Sequence, residues 1–241
     1  QLMRAFTFLA QRSIDKHDPC IVGIVSGGVT EPVRTFIRAV LESQGTVLAS
    51  AELESADAPF ALSVLRALFS AGDGAGRAPE VGVANAASAL FFGLRLLAAQ
   101  VWTILTPARV PKKEFLVLPY VSKRPGKMRE LIRVARPHIA IVTDAAHELA
   151  SEALFSRDDL LREAGRAVES VMSTGYALLN GDDADIFELR TSTRAKVFTF
   201  GFREGADMRI TNFEARTDGG RSAGVSFKLH YGGSFVPVRL R

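Results

Sequence analysis

Residues 20–41, CIVGIVSGGVTEPVRTFIRAVL, constrain this chain more than any other stretch. The apolar run Ile21-Val22-Gly23-Ile24-Val25 meets a Ser26-Gly27-Gly28 turn. Val33, Phe36, Ile37, Val40 and Leu41 then recur at helical spacing. The pattern reads as buried strand, tight loop and amphipathic helix. In an α/β protein that is where a phosphate loop sits, with backbone N–H groups at a helix N-terminus facing the anion. A working loop of this kind also needs G-x-x-x-x-G-K-[ST], whose lysine neutralises phosphate and whose hydroxyl holds Mg²⁺. Here the lysine position falls on Thr30 and the hydroxyl position on Glu31, and Pro32 enters the first turn of the helix. A carboxylate at the anion site and a missing N–H both disfavour phosphate, so the loop frame is expected to persist without its phosphate chemistry.

The strands and helices that follow alternate. After a short strand at residues 45–49, residues 58–70 repeat apolar side chains with a helical period, and 71–79, AGDGAGRAP, form a Gly/Ala-rich loop. Residues 83–105 are long and apolar, but Arg95 and Gln100 lie within them. A mid-span arginine costs several kcal/mol in lipid, so this stretch is read as a buried or interfacial helix and not as a membrane span. Phe115-Leu-Val-Leu makes the next buried strand, expected to end at Pro119, and a helix opened by Arg124-Pro-Gly-Lys runs to Val134. Residues 137–144 form a strand with a polar end, and residues 157–172 form a helix whose N-terminus carries Ser156 and two acids. Two further strands lead into Gly181-Asp182-Asp183 and Gly201. From residue 207 onward the alternation becomes that of paired antiparallel strands with glycine turns. The expected fold is therefore a doubly wound, mostly parallel α/β sheet with a small antiparallel sheet at its C-terminal end. Residues 1–18 are read as an N-terminal helix and linker, and 19–241 as one domain.

Charge and cysteine content narrow the functional classes. The single Cys20 allows no intrachain disulfide and suits a reducing, cytoplasmic compartment. The formal net charge of +4 is concentrated in Arg109, Lys112, Lys113, Lys123, Arg124, Lys127, Arg129, Arg133 and Arg136. That cluster reads first as a solvated face, with nucleic acid or an anionic membrane surface as alternatives. Aromatic interleaving is sparse, with Tyr120 alone nearby, which argues against stacking on nucleic-acid bases. His17, His138, His147 and His230 show no metal-ligand spacing, there is no Gly-x-Ser-x-Gly elbow, and no metal site is expected from the residues themselves.

In order and spacing the motifs resemble the central, ATP-binding domain of the Mur ligases, and within them the members that add D-alanyl-D-alanine to a UDP-muramoyl peptide. The resemblance rests on the loop and helix of residues 21–41, on Glu80-Val-Gly-Val for a family E-[IL]-G-V-P, and on Phe115-Leu-Val-Leu followed by Arg124-Pro-Gly. It continues through Arg136-Pro-His-Ile-Ala-Ile-Val-Thr-Asp for R-P-[DH]-x-A-[IV]-[IV]-T-N, Leu179-Asn-Gly-Asp-Asp for L-N-A-D-D, and Val197-Phe-Thr-Phe-Gly.

The resemblance implies ATP and Mg²⁺ as cofactors and a reaction in which ATP phosphorylates a carboxylate that an amine then attacks. It implies Ser26, Gly27 and Gly28 at the phosphates and Asn180, Asp182 and Asp183 beside the nucleotide base. It also implies Glu80 on the substrate side and a histidine at or near His147. The charge-handling positions depart from it together. Besides Thr30 and Glu31, the magnesium-binding glutamate becomes Pro119, the carbamylated lysine becomes Ala164, and the asparagine after the third strand of the motif becomes Asp144. The family's N-terminal UDP-binding and C-terminal ligase domains are expected to be absent from this chain.

The expected function is accordingly a ligase-like domain impaired in catalysis, acting as a scaffold for an active ligase or another cell-wall protein. An active ATP-dependent UDP-muramoyl-peptide ligase is the first alternative. A basic domain binding nucleic acid or touching a membrane peripherally is the second, with nucleic acid disfavoured.

Overall fold

A computed structural model describes residues 2–26, 31–49, 60–61, 64–65, 68, 114–122, 125–144, 156–218 and 221–240. The 71–79 loop, the 83–105 stretch, Gly27, Gly28, Thr30, Glu80 and His147 lie outside the described residues. So does the side chain of Glu31, whose backbone begins a helix. Among the described residues no helix is long and apolar enough to cross a membrane.

The chain begins with helix α1 (Leu2–His17), strand β1 (Cys20–Ser26), helix α2 (Glu31–Glu42) and strand β2 (Thr46–Ala49). It continues with β3 (Glu114–Tyr120), α3 (Lys127–Val134), β4 (Ile139–Asp144), α4 (Arg157–Ser170) and β5 (Tyr176–Asn180). After α5 (Ala184–Glu188) and a 3₁₀ turn at Leu189–Ser192 come β6 (Lys196–Gly201), β7 (Met208–Asp218), β8 (Arg221–Tyr231) and β9 (Ser234–Leu240). One nine-stranded sheet has the order β2-β3-β1-β4-β5-β6-β7-β8-β9. Pairing is parallel from β2 through β7 and antiparallel from β7 to β9.

The expected mostly parallel sheet with antiparallel strands at its C-terminal end is present, and one strand boundary differs from expectation. The antiparallel strands continue the main sheet, joined to it by Phe200↔Met208 and Gly201↔Arg209, so the sheet is mixed. β3 also runs through Pro119 to Tyr120, whereas the proline was expected to end it. Proline cannot donate to a ladder. Pro119 lies beyond the last described pair with β2, Ala49↔Val117, and pairs on its other side with Ile24 of β1.

Both faces of the parallel part are covered, as a central run without alternation requires. On one face Ile21, Val25, Leu116, Leu118 and Val142 pack with Phe6 and Ala10 of α1, Met128 and Leu131 of α3, and Ala167 and Val168 of α4. Helical residues Ala61, Val64, Leu65 and Leu68 join this core. On the other face Val22, Ile24 and Val117 meet Val33, Ile37 and Leu41 of α2. The helix spacing in the sequence thus selects a partly buried stripe of α2, while Phe36 and Val40 remain exposed.

Gly23 is fixed by a close approach. The buried Tyr120 ring crosses β1 there, so a Cβ on Gly23 would lie 2.8 Å from it. The Tyr120 hydroxyl donates to the Ala135 carbonyl, and Phe60 meets the ring edge-on at 5.5 Å between centroids.

Candidate nucleotide site at the strand ends

In a doubly wound sheet, ligands bind outside the carboxyl ends of the strands, where the strand order reverses. Here that edge is formed by the last residues of β3, β1, β4 and β5. A bulge between Val25 and Ser26 shifts the β1–β4 register so that Ser26 lies opposite Asp144. The buried Ser26 donates its hydroxyl to Asp144 Oδ2 at 2.7 Å, and Thr143 Oγ1 donates to the same oxygen at 3.0 Å. The first turn residue of the loop is therefore bonded to a carboxylate where the resemblance implied an asparagine.

The next strand end is also tied down internally. Asn180 donates Nδ2 to the Thr143 carbonyl at 2.8 Å and accepts the Asp182 N–H on Oδ1 at 3.0 Å. Asp182 accepts from the Phe202 and Arg203 backbone N–H groups, each at 2.8 Å to Oδ1. Asp183 caps α5 by accepting from the N–H groups of Asp185 and Ile186. Its other partner is Arg157, whose guanidinium lies 2.8 Å from one Asp183 oxygen and 3.0 Å from an Asp185 oxygen. Burial alone would raise the Asp183 carboxyl. The Arg157 hydrogen bond and the two backbone N–H groups outweigh it and hold the group below the usual aspartate range.

Of the residues singled out from sequence, Ser26, Asn180, Asp182 and Asp183 thus come to one edge with Asp144, and each carries a structural hydrogen bond there. Pro119 is on β3 beside Ile24, offering no side-chain ligand. Ala164 is 3 % exposed and belongs to the core beneath α4, so the position where the resemblance implied a carbamylated lysine is filled by packing. Among the described residues no three His, Cys, Asp or Glu side chains group as a metal site. The donors described at this edge are the Ser26 and Thr143 hydroxyls and the Asp144, Asp182 and Asp183 carboxylates, and the sequence carries Thr30 where a phosphoryl-transfer loop has its cradling lysine.

Two residues that matter locally were not singled out from the sequence. Arg157 finds its partners 26 and 28 positions away, which no local pattern announces. Glu163 is 2 % exposed and accepts from the N–H groups of Gly126 at 2.8 Å and Met128 at 2.7 Å, from the Ser122 hydroxyl, and from Arg166. Its signal was available, since it interrupts the apolar stripe of Leu160, Ala164, Ala167 and Val168.

No family model matches the chain. The strand order and the two covered faces define the class: this is a Mur ligase fold, superposing on such ligases over nearly its whole length. MurF from Acinetobacter baumannii aligns over 99% of this chain and 42% of its own, with a TM-score of 0.69 and 14% identity. MurF from Thermotoga maritima, solved in complex with ADP, aligns over 98% of this chain and 44% of its own, with a TM-score of 0.65 and 15% identity. Within that class the likeness is to the MurF type. A curated relative, UDP-N-acetylmuramoyl-tripeptide--D-alanyl-D-alanine ligase of Mycobacterium leprae, is 28% identical over 96 residues, 40% of this chain and 18% of that protein. The chain spans less than half the length of these solved ligases.

Proposed function

We propose that this chain is the nucleotide domain of a MurF-like protein of cell-wall synthesis whose own phosphate-transfer chemistry has been lost. Its role is to scaffold or regulate an active ligase in the cytoplasm. The observation that carries this reading is the Ser26–Asp144 pair, in which a carboxylate stands 2.7 Å from the hydroxyl that opens the loop. A phosphate entering there meets a like charge, and Thr30 and Glu31 offer no lysine to offset it. Pro119 and the buried Ala164 add two positions that lack the ligands of the resembled enzymes. Each missing charge-handling group removes several kcal/mol of transition-state stabilisation, enough together to suppress turnover.

Calorimetric titration of ATP into the purified chain, with and without Mg²⁺, tests this beside a Thr30→Lys, Glu31→Thr double variant. The wild type is expected to release no heat of binding at micromolar ATP, and the double variant to gain binding. Mg²⁺-dependent micromolar binding by the wild type would overturn the proposal and favour an active ATP-dependent UDP-muramoyl-peptide ligase. That alternative draws on the likeness to the D-alanyl-D-alanine-adding relative.

A further inference from the structure

A crevice of about 530 Å³ opens at the opposite edge of the sheet, between α1, α3 and the start of β4. It has the size of a small-molecule site. Its floor includes His138, which forms a reciprocal pair with β1: His138 N–H donates to the Ile21 carbonyl at 2.9 Å, and Ile21 N–H donates to His138 Nδ1 at 3.0 Å. A neutral imidazole that accepts at Nδ1 carries its proton on Nε2, so the ring's remaining polar atom is a fixed donor. Three arginines, Arg12, Arg133 and Arg136, line the same crevice. Arg136 is held in place by donating Nε to the Ser170 carbonyl at 2.5 Å. The guanidiniums of Arg12 and Arg133 enter no ion pair among the described residues, although Asp15 and Asp18 line the crevice too.

Apart from Gln11, the remaining wall is apolar. Phe8 is 64 % exposed on α1, and Ile132 and Met172 face the crevice with it. An exposed aromatic beside cationic donors in a concavity fits one chemistry better than others: a compact apolar body ending in an anion. Carboxylate matches the planar forks of the guanidiniums. Phe8 and its neighbours supply the contact area. Arg133 also stands in the last turn of α3, where any cation stabilises the helix, so its presence alone would prove nothing. The concavity, the three arginines that line it and the uncovered aromatic are what a capping role leaves unexplained.

We propose that this crevice is a binding site for a small carboxylate with an apolar, aryl or alkyl body, engaged by Arg12, Arg133 and Arg136, with His138 donating from Nε2 and Phe8 packing on the apolar part. The site is independent of the proposal made for the strand ends, from which it is separated by the length of β1.

Nuclear magnetic resonance of the whole chain tests it, following the His138 ring and arginine side-chain signals during titration with 3-phenylpropionate. Inorganic phosphate and 3-phenylpropylammonium serve as comparisons. Saturable shifts with 3-phenylpropionate are expected, with none from the ammonium and weaker binding of phosphate. An Arg12→Gln, Arg133→Gln variant should weaken 3-phenylpropionate by at least about tenfold while its thermal transition stays close to wild type, since both side chains are exposed. Absence of saturable shifts would overturn the proposal. So would equal response to the ammonium, phosphate binding as tight as the carboxylate, or undiminished binding by the variant.

Discussion

Glu163 is a carboxylate taken out of water by α4 and given back its hydrogen bonds by the start of α3. Gly126 has φ of +84° and makes no side-chain cap of its own. Removing the carboxylate therefore leaves the Met128 N–H buried without its partner and Arg166 without its counter-charge. Glu163→Ala is expected to cost about 3–5 kcal/mol and to lower the thermal midpoint by roughly 6–20 °C, read by calorimetry. A loss below 1 kcal/mol would show that water replaces the carboxylate. His138 makes a prediction in pH. Burial lowers its pKa, Asp18 pulls it back up and Arg136 pushes it down. Its folded pKa lies below the unfolded value of about 6.5, so below that pH the unfolded chain binds more protons. The stabilisation is complete above the unfolded value and is lost as pH falls through the lowered folded one. Protonation of Nδ1 would also oppose the Ile21 N–H directly. His138→Asn keeps an acceptor near the Nδ1 position and removes the titration. Urea unfolding at pH 7.5 and 5 should then show a smaller stability loss in the variant, and equal losses would refute the assignment.

At the scale of elements, the connection after β5 and the turn after β6 are built as one unit. Asp182 supplies the acceptor for the Phe202 and Arg203 N–H groups, and Gly201 beside it has φ of +149°. A Cβ on Gly201 would stand 2.6 Å from the Asp182 carboxyl group. Gly201→Ala is expected to destabilise by about 1–3 kcal/mol through the backbone conformation and this overlap. Part of that cost depends on the partner. In an Asp182→Ala background the same substitution should cost measurably less, giving a coupling of about 0.5 kcal/mol or more in a double-mutant cycle. Strict additivity would mean that the backbone angle alone accounts for the strain. The capping box of α4, in which Ser156 and Asp159 exchange hydrogen bonds, belongs to the same scale and follows from the serine and acids read in the sequence.

Across the whole molecule, the antiparallel strands hang on the parallel sheet by a short seam. Two residue pairs join β6 to β7, reinforced by Asp207 accepting from Thr199 N–H and Oγ1 and by Phe198 meeting Tyr231 at 6.3 Å. β1 instead is buried from Ile21 to Ser26 and paired on both sides. Native-state hydrogen exchange is expected to open β8 and β9 at lower free energy than β1 and β4. Equal protection would show that the nine strands unfold as one cooperative unit.

The alternation of elements was legible from sequence because its signals are local. An unbroken apolar run makes β1 a central strand, the helical period of Val33, Ile37 and Leu41 gives α2 a partly buried face, and Ser156 with its acids starts α4. Local signals also placed Asn180, Asp182 and Asp183 at one strand end. What they could not reach is pairing over distance. The bulge that sets Ser26 against Asp144 spans 118 positions, Arg157 meets Asp183 across 26, and Glu163 serves a helix 37 residues before it. Such contacts depend on which strands become neighbours and in which register. Tertiary packing therefore turned a helical glutamate into the cap of another helix and extended a parallel sheet with antiparallel strands, while the sequence by itself determined the order and kind of the elements being packed.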